Sequence, residues 1–167
     1  MGAVDLDRLV PPAPLSLEHQ LDRFQCVEAS LERWLKERAR QNDAQGASRT
    51  YVVAAGWEVV GYYCLSAGAV ARAAAPSGLR RKMPDPIPVI LLGRLAVHAA
   101  WSGKGIGSGL LKDAVLRSVA VSKTVGARAL LCHAISLDAK KFYLRHGFIE
   151  SPVDAMTMML NLAPLAA

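Results

Sequence analysis

Residues 101–109 read Trp-Ser-Gly-Lys-Gly-Ile-Gly-Ser-Gly, with glycine at Gly103, Gly105, Gly107 and Gly109. Glycine accepts a positive φ and lets a ligand approach the main chain closely. Ile106, Leu110, Leu111, Ala114, Val115 and Val119 follow at helical spacing, so the loop opens a helix. Amide N–H groups at a helix start, helped by the helix dipole, converge on an anion. Strand, glycine loop and helix together make a phosphate or pyrophosphate cradle; the plainer alternative is a glycine-rich turn with no ligand. Two common phosphate loops do not fit. The dinucleotide fingerprint needs its third glycine where Ser108 or Leu110 stands. The P-loop needs a glycine at His98 and a Ser or Thr at Gly105.

Composition bounds what such a loop can belong to. A chain of 167 residues, 52% hydrophobic and 20% charged, is long enough to bury a core without staples and too apolar to be disordered. Its apolar stretches are interrupted too often for a membrane span, and Asp5 and Asp7 do not suit a basic leader. Cys26, Cys64 and Cys132 are odd in number, scattered and without zinc spacing, so a cytoplasmic chain with no disulfide framework and no metal is expected. The net charge of +6 is uneven: residues 1–50 balance at −1, residues 51–100 carry +3 and residues 101–167 carry +4. Arg72, Arg80, Arg81 and Lys82 follow one another with no acid between them. Such an excess attracts polyanions, or is simply a solvated basic surface.

The elements that must position the loop follow from periodicity. Pro11, Pro12 and Pro14 make residues 1–15 an extended arm. Leu17, Leu21, Phe24, Val27, Leu31, Trp34 and Leu35 recur at steps of three and four, which predicts two helices with a break near Cys26. Residues 42–48 read as a polar loop around Gly46. Residues 51–65 read as strand, turn, strand. The alanine-rich stretch from Ala67 suits a short helix, and the prolines up to Pro88 suit loop or edge. Residues 89–97 are a strand interrupted by Gly93 and Arg94, and residues 127–135 are another. Residues 138–146 form a short helix stopped by Gly147, and residues 157–162 a last strand. This order is mixed α/β, with no internal repeat and one domain over residues 16–164.

The glycine loop resembles motif A of the GNAT acetyl-CoA-dependent N-acetyltransferases. Gly105 and Gly107 fit that motif, and Ser102 stands where the family has Gln or Arg. The resemblance extends over nearly the whole chain from about residue 11. Phe24-Gln25-Cys26, Trp34-Leu35, Gly46-Ala47-Ser48-Arg49-Thr50 and Gly61-Tyr62-Tyr63 are similar to one branch of the family. The segments at residues 79–88, which include Met83-Pro84-Asp85-Pro86-Ile87-Pro88, and at residues 141–148, around Phe142-Tyr143, match the same branch. That branch is the tRNA-acetylating toxins of type II toxin–antitoxin modules.

The resemblance implies a single GNAT-type α/β domain with a mixed, mostly antiparallel sheet splayed around an acetyl-CoA site and flanked by helices. It implies transfer of acetyl from acetyl-CoA to the α-amine of aminoacyl-tRNA, blocking translation. It also implies a ribbon-helix-helix antitoxin and a homodimer. The pyrophosphate would lie on Gly103, Lys104, Gly105, Ile106, Gly107 and Ser108. The pantetheine arm would add to the strand at Leu95, Ala96 and Val97, a backbone N–H of which would serve the oxyanion.

An α-amine titrates near pH 8, so the acceptor needs no strong base. The departing thiolate, with a pKa of about 8.5 by analogy to cysteine, gains from a nearby acid. The family resemblance gives that role to Tyr143, whose alternative is a packed tyrosine anchoring its helix. Phe142 lines the pantetheine channel or packs in the core. Ser136 touches CoA or caps a helix, and His98 and His133 at strand ends are more often structural than bases. Arg38, Arg40, Arg49, Arg80, Arg81 and Lys82 are candidates for tRNA phosphates. Two other readings stand beside the toxin: a GNAT enzyme for a small amine or protein N-terminus, and a non-catalytic nucleic-acid-binding regulatory partner on the same fold.

Overall fold

In the computed structural model, which describes residues 6–167, the prolines decide where the first strand can go. Proline has no N–H to give a ladder and is tolerated at a sheet edge or a bulge. Strand β1 (Leu9–Pro14) is such an edge and pairs antiparallel with β2 (Arg49–Ala55). Its register shifts between Val10 and Ala13, where Pro11 and Pro12 stand side by side. Of the arm expected over residues 1–15, residues 1–5 lie outside the described residues, and Leu9–Pro14 is this edge strand.

The period over residues 16–35 has a different origin from the one expected. One helix stands there, α1 (Ala29–Glu37), preceded by turns. The N–H of His19 bonds the Ser16 carbonyl, and that of Phe24 bonds the Leu21 carbonyl. Such turns also bring residues three apart to one side, so Leu21 and Phe24 are buried while Leu17 and Val27 are 87% and 93% exposed. The expected polar loop at 42–48 is also corrected. Helix α2 (Ala39–Gln45) runs through Asn42 and Asp43, and Gly46, at φ 73°, ends it by donating to the carbonyls of Asn42 and Asp43.

Strand β3 (Glu58–Val70) pairs antiparallel with β2 and continues beyond Leu65, so Ala67 lies in strand, not helix. The short helix comes later, as a 3-10 turn at Arg72–Ala74 and then α3 (Ser77–Arg80). Strand β4 (Ile87–Val97) passes through Gly93 and Arg94 without a break. A 3-10 turn (Ala99–Trp101) leads towards α4 (Ile106–Ser122). Strand β5 (Ala129–His133), α5 (Leu137–Arg145), β6 (Ile149–Glu150), β7 (Thr157–Asn161) and α6 (Ala163–Ala166) complete the chain. Strand β6, two residues long, is too short for a period to reveal.

The seven strands form one open mixed sheet in the order β1-β2-β3-β4-β5-β7-β6. Strand β4 runs parallel to β5 through Val89↔Ala129, Ile90↔Leu130 and Leu91↔Leu131, and β7 is antiparallel to both β5 and β6. Two compact units share the chain. One holds the residues up to Ser66 with Arg94–Ala114, and the other Ala67–Gly93 with Val115–Ala167. The first has a core of Phe24, Leu35, Val52, Val59, Tyr62 and Ala96 among others. The second is built on Ala75, Leu79, Ile87, Val89, Ala129, Leu131 and Met159. Among the described residues no helix is long and apolar enough to cross a membrane.

Candidate active site

In the first unit the chain is delivered to the glycine loop by a tightly bonded turn. His98 Nδ1 accepts from the Ala100 N–H at 3.1 Å, and the Ser102 hydroxyl donates to the Ala99 carbonyl at 2.7 Å. His98 therefore works as the cap of this turn, packed edge-on to Phe24. Gly103 and Gly105 then take φ of 74° and 82°, a region closed to most side chains. Helix α4 starts at Ile106, and the Gly109 N–H closes its first turn on the Gly105 carbonyl at 3.1 Å. No acidic residue stands in that first turn, and Lys104 beside it is exposed. The first turn therefore brings no carboxylate of its own to the positive end of the helix dipole.

The helix can lie this close to the sheet because of Gly61 on β3. A Cβ at Gly61 would stand 2.9 Å from Leu110 Cδ1 and 3.1 Å from Ile106 Cγ2, inside contact distance. Beside the loop is a cavity of about 330 Å³ between Lys104, Gly105 and Ile106 on one side and Pro11, Pro12 and Val53 on the other. Apolar walls next to the start of a helix suit a phosphate-bearing small molecule. The wall supplied by β1 carries no signal in the sequence, since it depends on where the proline strand docks.

Of the strand residues expected to hold the pantetheine arm, Ala96 is buried in the core with Tyr62 and Val59. Leu95 and Val97, alternating with it, are half-buried on the other face. Arg94, one residue earlier, was not singled out by sequence. Its guanidinium lies 4.4 Å over the Trp34 ring, which stacks at 6.0 Å on Tyr62. The Tyr62 hydroxyl donates to the Leu31 carbonyl at 2.6 Å, so arginine and aromatic rings form one tied pile.

In the second unit, Tyr143 is buried in α5, and its ring meets those of Phe142 and Phe148, each at 5.3 Å. Cys132 on β5 is likewise buried. Burial pushes the Cys132 thiol up to about 12, with the Tyr143 hydrogen bond pulling the other way, so it stays protonated at neutral pH. The helix is tied down at its N-terminal end. Ser136 Oγ accepts from the Ala139 N–H at 3.1 Å, the capping role weighed for it above, and Lys140 bridges to Glu150 at 2.6 Å. Phe142 is half-buried, with its ring 4.6 Å from that of His146. His133 Nδ1 sits 2.9 Å from Thr157 Oγ1, whose hydroxyl donates to Asp154 at 2.9 Å.

The basic candidates divide between the units. Arg38, Arg40 and Arg49 belong to the first, and Arg80, Arg81 and Lys82 to the second. Arg40 is half-buried and its guanidinium donates to the carbonyls of Ser16 and His19. Arg49 pairs with Asp43 at 3.1 Å, and Arg38 is exposed at the junction of α1 and α2. Arg81 and Lys82 are exposed on a segment held from beneath. Arg128 donates to the carbonyls of Leu79 and Gly78 at 2.9 and 3.3 Å, and the Arg72 side chain donates to the Arg80 carbonyl at 3.2 Å. Asp85, just before the cis peptide to Pro86, accepts from the Arg72 N–H at 3.1 Å. Among the described residues no group of three or more His, Cys, Asp or Glu is placed to hold a metal ion.

An open mixed sheet whose fourth strand feeds a glycine-turned helix start defines an acyltransferase of the GNAT type. The chain belongs to the GNAT acetyltransferase family, whose domain, described as "Acetyltransferase (GNAT) domain", matches residues 46–150. It is 44% identical over 149 residues to the tRNA-acetylating toxin of Mycobacterium tuberculosis, covering 89% of this chain and 90% of that one. Among solved structures it is similar to a tyrosine-to-phenylalanine mutant of KacT, with TM-score 0.88, 27% identity and 94% and 96% of the two chains covered. It is equally similar to AtaT complexed with acetyl-methionyl-tRNAfMet, with TM-score 0.87, 27% identity and the same coverage. A third match is AtaTR bound with acetyl-CoA, with TM-score 0.82, 28% identity and 96% and 97% covered.

Proposed function

We propose that this chain is an acetyl-CoA-dependent N-acetyltransferase toxin that acetylates the α-amine of aminoacyl-tRNA and so blocks translation. The observation that carries this reading is the 44% identity, over 89% of the chain, to a tRNA-acetylating toxin. The glycine loop fits the donor substrate: the first turn of α4 holds no acidic residue, and Lys104 stands beside it. Gly103, Lys104, Gly105, Ile106, Gly107 and Ser108 hold the pyrophosphate of acetyl-CoA. Leu95, Ala96 and Val97 hold its pantetheine arm by main-chain hydrogen bonds, and Phe142 contacts the same arm. A backbone N–H of that strand polarises the thioester carbonyl.

Tyr143 is the general acid. The neutral acceptor amine attacks the thioester carbon, and the C–S bond breaks with its electron pair going to sulfur. The Tyr143 proton passes to the leaving sulfur, and the proton shed by the acceptor nitrogen goes to water and returns to Tyr143. Arg38, Arg49, Arg80, Arg81 and Lys82 track tRNA phosphates by counterion release. Arg40, already engaged by two carbonyls, contributes more to fold than to phosphate contact. The active protein is a cytoplasmic homodimer with its functional domain over residues 16–164, and a ribbon-helix-helix antitoxin neutralises it.

The test offers radiolabelled acetyl-CoA and a charged tRNA pool to the wild type and to Tyr143→Phe. Label is expected in the aminoacyl fraction, with kcat down by about 100-fold or more in the variant and KM for acetyl-CoA nearly unchanged. Label on free amines or protein N-termini alone sinks the tRNA assignment. Acetyl-CoA binding without any turnover by the wild type would make the chain a non-catalytic partner.

A further inference from the structure

We propose that His133 is the general base of the reaction: its Nε2 takes up the proton that the acceptor nitrogen sheds, with Thr157 and Asp154 as positioning residues behind it. This rests on the reading of the chain as an aminoacyl-tRNA acetyltransferase with Tyr143 as its acid. A histidine at a strand end is ordinarily structural, but a chain of hydrogen bonds gives this one a direction. His133 Nδ1 lies 2.9 Å from Thr157 Oγ1, and the Thr157 hydroxyl donates to Asp154 Oδ2 at 2.9 Å. Asp154 Oδ1 accepts from the Met156 N–H at 3.0 Å. The Met156 N–H first, and the Thr157 hydroxyl second, hold the Asp154 carboxyl below its ordinary range, so it is ionised at neutral pH and only accepts. The single hydroxyl proton of Thr157 is thus committed to Asp154, and its oxygen must accept from His133 Nδ1–H. That sets the tautomer: in its neutral form His133 carries the proton on Nδ1 and a lone pair on Nε2. His98 is the converse case, because its Nδ1 accepts from the Ala100 N–H and its ring proton lies on Nε2.

The placement of His133 suits an acceptor delivered by tRNA. Along β5, Ala129 and Leu131 pack with Leu79 and Met159, and His133, two residues further, continues that face of the sheet. Leu79 leads directly into Arg80, Arg81 and Lys82, the phosphate candidates of this unit. The Ser151 hydroxyl donates to the Ala74 carbonyl at 2.6 Å, which ties the turn carrying Asp154 to the stretch just before Leu79. The parallel ladder between β4 and β5 runs to Leu91↔Leu131, two residues short of His133. Open sheets bind their ligands beyond the carboxyl ends of parallel strands. Ser136 then caps α5, which carries Tyr143, so acid and base follow from the same strand end. Thr157 is 5% exposed while the His133 side chain is exposed, so the anchor is dry and the base is open to a ligand. In the reaction the amine nitrogen bonds the thioester carbon, and its proton moves to the Nε2 lone pair. The C–S electron pair goes to sulfur, and the Tyr143 proton follows it. The Asp154 charge, relayed through Thr157, stabilises the imidazolium, which passes its proton to water and so back to Tyr143.

The experiment compares His133→Asn, whose amide keeps a donor for Thr157 but supplies no base, with His133→Ala, Thr157→Val and Thr157→Ser. Assays with acetyl-CoA and charged tRNA give kcat and both KM values. His133→Asn and His133→Ala are each expected to lose about 100-fold in kcat, with both KM values within about two-fold of the wild type. Added imidazole should restore activity to His133→Ala in proportion to its concentration, and none to Tyr143→Phe. Thr157→Val should lose about three- to ten-fold in kcat, and Thr157→Ser should keep most of the wild-type rate. Nitrogen NMR of the imidazole rings, without substrates and assigned with His133→Asn, reads the tautomer without turnover. It should show Nδ1–H for His133 in the wild type and a shift towards Nε2–H in Thr157→Val. An Nε2–H tautomer in the wild type, or a His133→Ala that imidazole does not rescue, overturns the inference. So does a kcat for His133→Asn within about two-fold of the wild type. A wild type that acetylates no charged tRNA, or full activity in Tyr143→Phe, would instead overturn the reading beneath it and leave the tautomer untouched, so the failures are distinct.

Discussion

The two compact units hold their candidate residues by opposite means. In the first, the candidate anion cradle is main chain: Gly103 and Gly105 take positive φ just before α4 begins, and Ser102, Lys104 and Ser108 are exposed. In the second, the candidates are side chains. Tyr143 is seated between the rings of Phe142 and Phe148, and Arg81 and Lys82 are exposed on a segment held by Arg72 and Arg128. A main-chain site tolerates changes of side chain and fails when φ is denied. A side-chain site fails on one substitution but tolerates small backbone shifts. The difference teaches where each kind of mutation will be felt.

The largest expected effect concerns the buried thiol. The Cys132 value, 9.0 when unperturbed, rises to about 12 in the fold, so above pH 9 the unfolded chain ionises where the native one does not. Its contribution to stability is intact below pH 9 and is lost as the pH climbs towards 12. The loss is at most about 4 kcal/mol. Urea unfolding between pH 8 and 11 should show a steeper decline for wild type than for Cys132→Val, and parallel declines would refute the burial argument.

Next comes Gly105→Val, which forces a branched side chain to φ 82° at a cost of about 1–2 kcal/mol. CoA binding by calorimetry should weaken by about five- to thirty-fold, whereas Lys104→Ala should cost no more than about five-fold. If Lys104→Ala costs more than Gly105→Val, the cradle is not a main-chain site. The double variant Arg81→Ala, Lys82→Ala should leave CoA binding unchanged. It should lower the slope of log K for tRNA against log salt by about 1.5–2, and an unchanged slope would remove both residues from the interface. The smallest effect is a gain. Ser102→Arg supplies one of the two long side chains, Gln or Arg, that the resemblance places there and should tighten CoA by no more than about five-fold.

How much of this was legible differs from region to region. The strand, glycine loop and helix over residues 93–122 could be read directly, because glycine spacing and a 3.6-residue period are local signals. The turns over residues 16–28 were misread as helix, since turns that bring residues three apart together imitate that period. Asn42 and Asp43 looked like loop because polar residues on an exposed helix face resemble one. The Arg94–Trp34–Tyr62 pile had no signal at all. It joins residues from different elements, and neither spacing nor residue type announces the contact.

The sequence by itself determined the chemistry that depends on neighbours along the chain. A run of glycines before an apolar stripe dictates a helix start open to an anion, and Leu-Asp-Ala-Lys-Lys-Phe-Tyr after Ser136 dictates a capped helix carrying Tyr143. Tertiary structure alone decided what those features touch. It set Gly61 beneath α4 and brought the prolines of β1 against the loop cavity. It also buried the Cys132 thiol, which keeps it protonated at neutral pH. The physical reason is range: hydrogen-bond patterns of turns and helices close within four residues, whereas packing is settled between strands and helices that only the folded sheet makes neighbours.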